Sequence, residues 1–200
     1  LNPVLLAIVM LVTALHVTGT PYATYFDGAQ FVHFLLGPAT VALAVPLYLQ
    51  FGRLRRLALP LLGALLAGSL AAIVSAVGFA WLLGAEAATL LSIAPKSVTA
   101  PIAMGIAEKI GGIPSLTAVL VIMTGVSGAM MAKYVLDALR IADHGVRGFA
   151  AGVAAHGIGT ARAFQVSEQA GAFAGLGMGL NGLATAVLMP LLLYAWRLAG

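Results

Sequence analysis

"SIAPKSVTAPIAMGIAEKIGG", residues 92–112, decides how this chain is organised. It sets Lys96 between Pro95 and Pro101, beside Ser97 and Thr99, in a sequence that is 62% hydrophobic and only 8% charged. A helix disfavours the residue before a proline, whereas its first turn accepts proline well. The spacing therefore predicts one helical piece stopping near Ala94, a turn "PKSVTA", and a second piece with Pro101 in its first turn. Each piece is too short to span a bilayer at about 1.5 Å per residue. Residues 87–107 read as a re-entrant hairpin, and its turn gathers a positive charge, two hydroxyls and the free amides of a helix start.

Outward from this turn, the chain is a series of long uncharged runs. Residues 1–26, 28–52, 57–85, 110–132 and 169–196 contain no Lys, Arg, Asp or Glu. Runs of about 18 or more such residues are candidate membrane spans. With a mean hydropathy of +1.06, too little polar surface exists to cover a soluble globule. The expectation is an all-α polytopic membrane protein forming a single domain over 1–200, with five full spans and two broken or re-entrant helical hairpins. Repetition of the runs excludes a single secretory signal followed by a soluble chain.

Charge placement refines the topology. Arg53, Arg55 and Arg56 lie in one short loop, and Arg140 and Arg147 in another. Short loops rich in Lys and Arg lie on the cytoplasmic side. An even number of crossings must then separate these two, yet three candidate segments lie between them. One of the three does not cross, and 87–107 is the weakest. The net charge of +4 is thereby explained by orientation, since no basic helix or aromatic platform suggests nucleic acid.

A second polar interruption, "AAGVAAHGIGTARAFQVSEQAGAF", carries His156, Thr160, Arg162 and Glu168. Gly157 and Gly159 permit unusual backbone conformations, so a second hairpin is expected to turn near residues 156–162. It approaches from the opposite side, and the two tips can meet near the midplane. Lys96, Ser97, Thr99, His156, Gly157, Gly159, Thr160 and Arg162 form the expected substrate-binding set, with Glu168 and Asn181 as coupling or ion-pair residues. Bland readings compete: Lys96 as a snorkelling lysine, His156 as a packing residue, Arg162 and Glu168 as an ion pair, Asn181 as a bond to a neighbouring helix. Gly171, Gly175 and Gly179 form an expected small-residue packing face. There are no cysteines, and His16, His33, His144 and His156 lack ligand spacing, so no metal, cofactor or catalytic set is expected.

"LNPVLLAI", "GPATVALAVPLY", "APKSVTAPIAM", "GGIPSLTAVLVIMTGVSGA" and "AAHGIGTARAFQVSEQAGAFAGLGMGLNG" together resemble the LrgB family of bacterial membrane proteins, also called CidB/LrgB or antiholin-like. The family usually has another helix before the "LNP" position, so the family's N-terminal helix is expected to be missing from this sequence. The resemblance implies either regulation of murein hydrolase activity and cell lysis with a small LrgA-type membrane partner, or transport. The plant plastid LrgA–LrgB fusion carries glycolate and glycerate, and some bacterial members are linked to pyruvate uptake. Broken helices carrying Lys96, His156 and Arg162 favour a small-carboxylate transporter over a lytic pore or an enzyme. The expected setting is the bacterial cytoplasmic (inner) membrane, as a homo-oligomer.

Overall fold

The structure is a computed structural model that describes residues 3–42 and 44–199. Ten helices follow in order among them: α1 (Pro3–Thr18), α2 (Tyr22–Ala42), α3 (Ala44–Leu49), α4 (Phe51–Arg56), α5 (Ala58–Leu82), α6 (Ala87–Ile93), α7 (Ala100–Ile110), α8 (Pro114–Ala138), α9 (His144–Phe164) and α10 (Glu168–Ala199). No strand occurs among the described residues. Three helices are long and apolar enough to cross a membrane, namely α5, α8 and α10 through Trp196; α1 contributes a shorter apolar helix. The expected span over 28–52 is instead divided among α2, α3 and α4.

Side-chain placement on α5 shows why these helices belong in lipid. Its buried residues are Leu65, Ser69, Ile73 and Ala76, one stripe at helical spacing. The remaining faces expose Leu62, Leu66, Val74, Phe79 and Trp81. A helix that is apolar on every side yet buried on only one needs an apolar surrounding. Trp81 and Trp196 are both exposed near the C-terminal ends of α5 and α10, as residues of an interfacial aromatic belt are. This is an all-helical membrane protein.

The two basic loops meet at one end of the bundle. Arg53 Nη2 lies 2.7 Å from Asp143 Oδ2, so α4, which carries Arg53 just before α5, and the loop after α8 lie side by side. Two long helices, α5 and α8, separate them in sequence, and the segment between those helices makes a closed excursion. Ser92 Oγ accepts a hydrogen bond from Ile113 N at 2.7 Å, and Ser92 O accepts one from Thr117 Oγ1 at 2.9 Å. The chain leaves Ser92 and returns to it. Hairpin 1, made of α6, the turn at 94–99 and α7, therefore folds back on itself, with the break where the proline spacing predicts it.

The second excursion is tighter. Helix α9 is broken at Ala155 (φ −126°, ψ 18°) and His156 (φ 40°, ψ −133°). Gly159, beyond the break, packs against the carbonyl of Ala151 and the Cβ of Ala155, so residues 157–164 fold back along residues 144–155. Helix α10 then starts alongside the first limb and runs parallel to it. Any Cβ at Gly148 would overlap the carbonyl of Ala170, and any Cβ at Gly152 that of Ala174. These contacts form hairpin 2, entered from the Arg53 end, while hairpin 1 is entered from the end where α5 finishes.

Two details differ from expectation. The positive φ falls on His156 and not on Gly157 or Gly159; Gly159 serves close approach, because a Cβ there would meet Ala151 O at 2.5 Å. The expected packing face of Gly171, Gly175 and Gly179 is also redistributed. Gly171 receives the ring of Phe164, whereas Gly175 and Gly179 have nothing within 4 Å. The closely packed face of α10 carries Ala170, Ala174 and Gly177, which meet Gly148, Gly152 and Phe149. An alanine is small enough where the partner across the interface is a glycine.

Candidate functional site

The two hairpin turns converge on one side chain, Asn181. Its Nδ2 donates to Ser97 O of hairpin 1 at 3.1 Å and to Val153 O of hairpin 2 at 3.0 Å. Its Oδ1 accepts from Ser69 Oγ of α5 at 2.6 Å. Ser69 lies near the middle of α5 and Asn181 near the middle of α10, so the junction sits at mid-depth. Both side chains are 1% exposed. In an apolar interior an unbonded amide is costly, and here both ends of the amide are satisfied. Asn181 is the connection between the two re-entrant elements as well as a bond between neighbouring helices.

The turn of hairpin 1 is arranged as its sequence predicts. Helix α6 ends at Ile93, Thr99 occupies the position before α7, and Pro101 lies in that helix's first turn. Ser97 is buried, and Lys96 is half-buried. Lys96 Nζ lies 3.4 Å from Ser97 Oγ. Thr99 makes no side-chain capping bond, which leaves the first amides of α7 to backbone and surroundings. A cation, two hydroxyls and a helix start therefore share one short turn beside the junction.

The turn of hairpin 2 is more fully occupied by its own bonds. His156 Nε2 lies 2.9 Å from Val121 O of α8, and Gly125 leaves room for the imidazole, since a Cβ there would come within 2.6 Å of the ring. The Thr160 hydroxyl donates to His156 O at 2.8 Å, so the donor expected for a substrate is already engaged. Gly157 borders Met178 with ordinary clearance. His156 is placed as a strut between hairpin 2 and α8.

Arg162 lies elsewhere. It is exposed, and its Nη1 donates to Gln165 Oε1 at 2.9 Å. The alternative ion pair with Glu168 is not formed: among the described residues the ion pairs are Arg53–Asp143 and Arg147–Asp137. Glu168 instead occupies the first turn of α10, where a negative charge suits the helix dipole. Arg162 lines a cavity of about 340 Å³ at the Arg53 end of the bundle, together with Lys133 of α8 and His144 and Arg147 of α9. Lys96 does not line it. The expected set thus divides between a mid-depth junction and a basic cavity.

As site residues, sequence reasoning passed over Lys133 and Ser69, and it used Arg147 for orientation alone. Lys133 carried a signal, because it ends the uncharged run of 110–132 within a helix that continues to Ala138. Ser69 carried almost none. A serine in a membrane helix is common, and only its partner across 112 residues gives it meaning.

At the base of hairpin 2, Asp143 caps α9 by accepting from Val146 N at 2.9 Å. That amide, helped by Arg53 and the Gly145 amide, holds its carboxyl below the usual carboxylate value against the opposing effect of burial. Arg53 also stands 5.5 Å from the centre of the Phe173 ring, which belongs to a buried cluster with Leu54, Leu65, Phe149 and Val153.

Comparison with known proteins identifies the family. The family model for the LrgB-like family matches residues 1–195. The Bacillus subtilis protein YxaC is 36% identical over 198 residues, covering 99% of this chain and 86% of that protein. A Haemophilus influenzae protein is 32% identical over 189 residues, covering 94% and 82% respectively. The antiholin-like protein LrgB of Bacillus mycoides is 31% identical over 190 residues, covering 95% of this chain and 83% of its own length. No solved structure matches. With a family model matching nearly its whole length, the chain belongs to the LrgB family.

Proposed function

We propose that this protein carries small carboxylates of the pyruvate, lactate, glycolate and glycerate class across the bacterial cytoplasmic membrane, in which it is multi-pass. The observation that carries the reading is the meeting of two oppositely entered hairpins at mid-depth on Asn181, with Lys96 in the adjoining turn. Interrupted helices in lipid are tolerated where protein buries them or where they line a cavity, and in carriers such breaks form the substrate site. Lys96 supplies the charge, Ser97 and Thr99 supply hydroxyls, and the start of α7 supplies amides. Arg162 acts at the cavity below. An LrgA-type small membrane protein is the proposed partner, the carrier works as a homo-oligomer, and no catalytic turnover is assigned.

The test is uptake of labelled pyruvate, lactate, glycolate or glycerate by proteoliposomes, with and without the LrgA-type partner. Saturable, mutually competitive uptake that falls at least tenfold in Lys96→Gln supports the carrier. Nonselective dye leakage rising steeply with protein density would overturn it. Leakage would favour the second reading, regulation of murein hydrolases and lysis, which the antiholin-like name of the relatives supports. Cysteines at positions 86 and 109 should label from the same side, with the Arg53 and Arg147 loops on the cytoplasmic side.

A further inference from the structure

We propose that the cavity at the base of hairpin 2 is a binding site for a small oxyanion bearing two negative charges, separate from the mid-depth junction. Three segments each contribute a basic residue to the lining of one space of about 340 Å³: Lys133 from α8, Arg147 from the first limb of α9, and Arg162 from the second limb. The space exists because alanines and glycines, such as Ala129, Ala151 and Gly159, line it where larger residues would fill it.

Charge accounting selects the ligand. Arg147 is engaged by Asp137 Oδ1 at 2.6 Å and by Ile141 O at 2.9 Å. Arg162 has a neutral partner, Gln165, and among the described residues Lys133 has no carboxylate partner. Three cations face one carboxylate, which leaves two positive charges uncompensated. Converging cations repel one another, and although water and salt screen the exposed Lys133 and Arg162, the like charges leave the space complementary to an anion. A dianion removes the repulsion, and a guanidinium can bind phosphate or carboxylate oxygens bidentately while a lysine acts as a point charge. The shared chemistry is a pair of anionic oxygen groups, supplied by a free phosphate or dicarboxylate, or by the headgroup of an acidic lipid, since the cavity lies at the end of the spanning helices. The inference does not rest on transport, because it concerns binding alone.

The test uses the full chain, purified and delipidated in neutral detergent, titrated calorimetrically with succinate, inorganic phosphate, acetate and chloride at matched ionic strength. Succinate or phosphate should bind at least tenfold more tightly than acetate. Lys133→Gln/Arg162→Gln should weaken that binding at least tenfold, whereas Lys109→Gln, an exposed cation on α7, should leave it unchanged. Arg162→Gln alone, expected to lose binding severalfold, serves if the double variant does not elute as a folded species. Repetition in nanodiscs assigns the occupant. Suppression by cardiolipin, whose headgroup carries two phosphates, but not by phosphatidylcholine supports a lipid headgroup at these cations, and equal affinity in both supports a free solute. Dianion binding no stronger than chloride, with cardiolipin retention equal in wild type and variant, would overturn the site, as would full-strength succinate binding to the folded variants.

Discussion

Hairpins 1 and 2 reverse the chain at the same depth by opposite means. In hairpin 1 the break is written into the covalent chain: Pro95 and Pro101 enforce it, and six residues make the turn. In hairpin 2 the break has no proline. It occurs at Ala155 and His156, where His156 adopts φ 40°, a conformation unfavourable for a residue with a side chain. Neighbours over-determine that geometry: Val121 O holds the imidazole, Thr160 bonds the His156 carbonyl, Gly125 clears space and Gly159 allows the limbs to close. A locally encoded turn survives loss of its neighbours better than one imposed by packing.

The comparison makes its strongest prediction for the limbs. Gly152→Leu in hairpin 2 drives a side chain into the carbonyl of Ala174, and two backbones cannot yield as a side chain would. The expected loss exceeds about 4 kcal/mol, enough to prevent recovery of monodisperse protein. Gly105→Leu in hairpin 1 enters open space. It should change stability by no more than about 0.5 kcal/mol. Thermal unfolding in detergent measures both, and equal effects would break the distinction between the hairpins.

Asn181→Ala comes next, because Asn181 serves both turns at once. The substitution leaves Ser97 O and Val153 O without its amide and Ser69 without its acceptor. At roughly 1–3 kcal/mol for an unsatisfied buried group, partly relieved by relaxation, a loss of about 3 kcal/mol is expected. Limited proteolysis should then cut near residues 155–156 faster than near 94–99, since the proline turn retains its local restraints. Faster cutting in hairpin 1 would reverse the order inferred here.

Legibility in the sequence follows the same division. The stop near Ala94 and the start around Pro101 are readable because proline acts on its own neighbours. That the two basic segments share one end of the bundle is readable from their charge, and Arg53 meets Asp143 there. The sequence places the second break a little late, over 156–162 instead of 155–156, because glycines attract attention as turn formers while packing places the strain on His156. The stripe at Gly171, Gly175 and Gly179 misleads similarly: spacing identifies a face but does not select which face meets a partner. The cavity is least legible. Lys133, Arg147 and Arg162 come from three separated segments, and only tertiary structure collects them.

Variants at the turns sharpen the comparison at moderate energies. His156→Val places a β-branched residue at positive φ and removes the bond to Val121 O, for an expected loss of about 3 kcal/mol. His156→Gly removes the same bond but relieves the strained backbone, so the two effects, each about 1–2 kcal/mol, nearly cancel. Pro101→Ala, which loses only a preset φ in the first turn of α7, should cost about 0.5–1 kcal/mol. Chemical unfolding of the three proteins should give the largest loss for His156→Val and a smaller one for Pro101→Ala, with His156→Gly close to wild type. A large loss for His156→Gly would show that the imidazole bond, and not the backbone, governs that turn.

The smallest effect separates the bases of the hairpins. Hairpin 1 is closed by neutral groups, Ser92 with Ile113 and Thr117, whereas hairpin 2 is closed by Asp143, which caps α9 and pairs with Arg53. The Asp143 carboxyl is held below its ordinary value, first by the Val146 amide and also by Arg53. A depressed acid contributes stability that is present above the unfolded value, about 4, and that is lost as pH falls through the lower folded value. Both partners are more than two-fifths exposed, so water and salt screen the pair, and the contribution is limited to about 1 kcal/mol, chiefly from the cap. Asp143→Asn keeps a capping oxygen and removes the charge. It should lose a few tenths of a kcal/mol at neutral pH and flatten the acid dependence of hydrogen exchange in residues 144–155, leaving residues 100–110 unaffected. An identical acid response in both hairpins would mean that Asp143 does not set the difference between their bases.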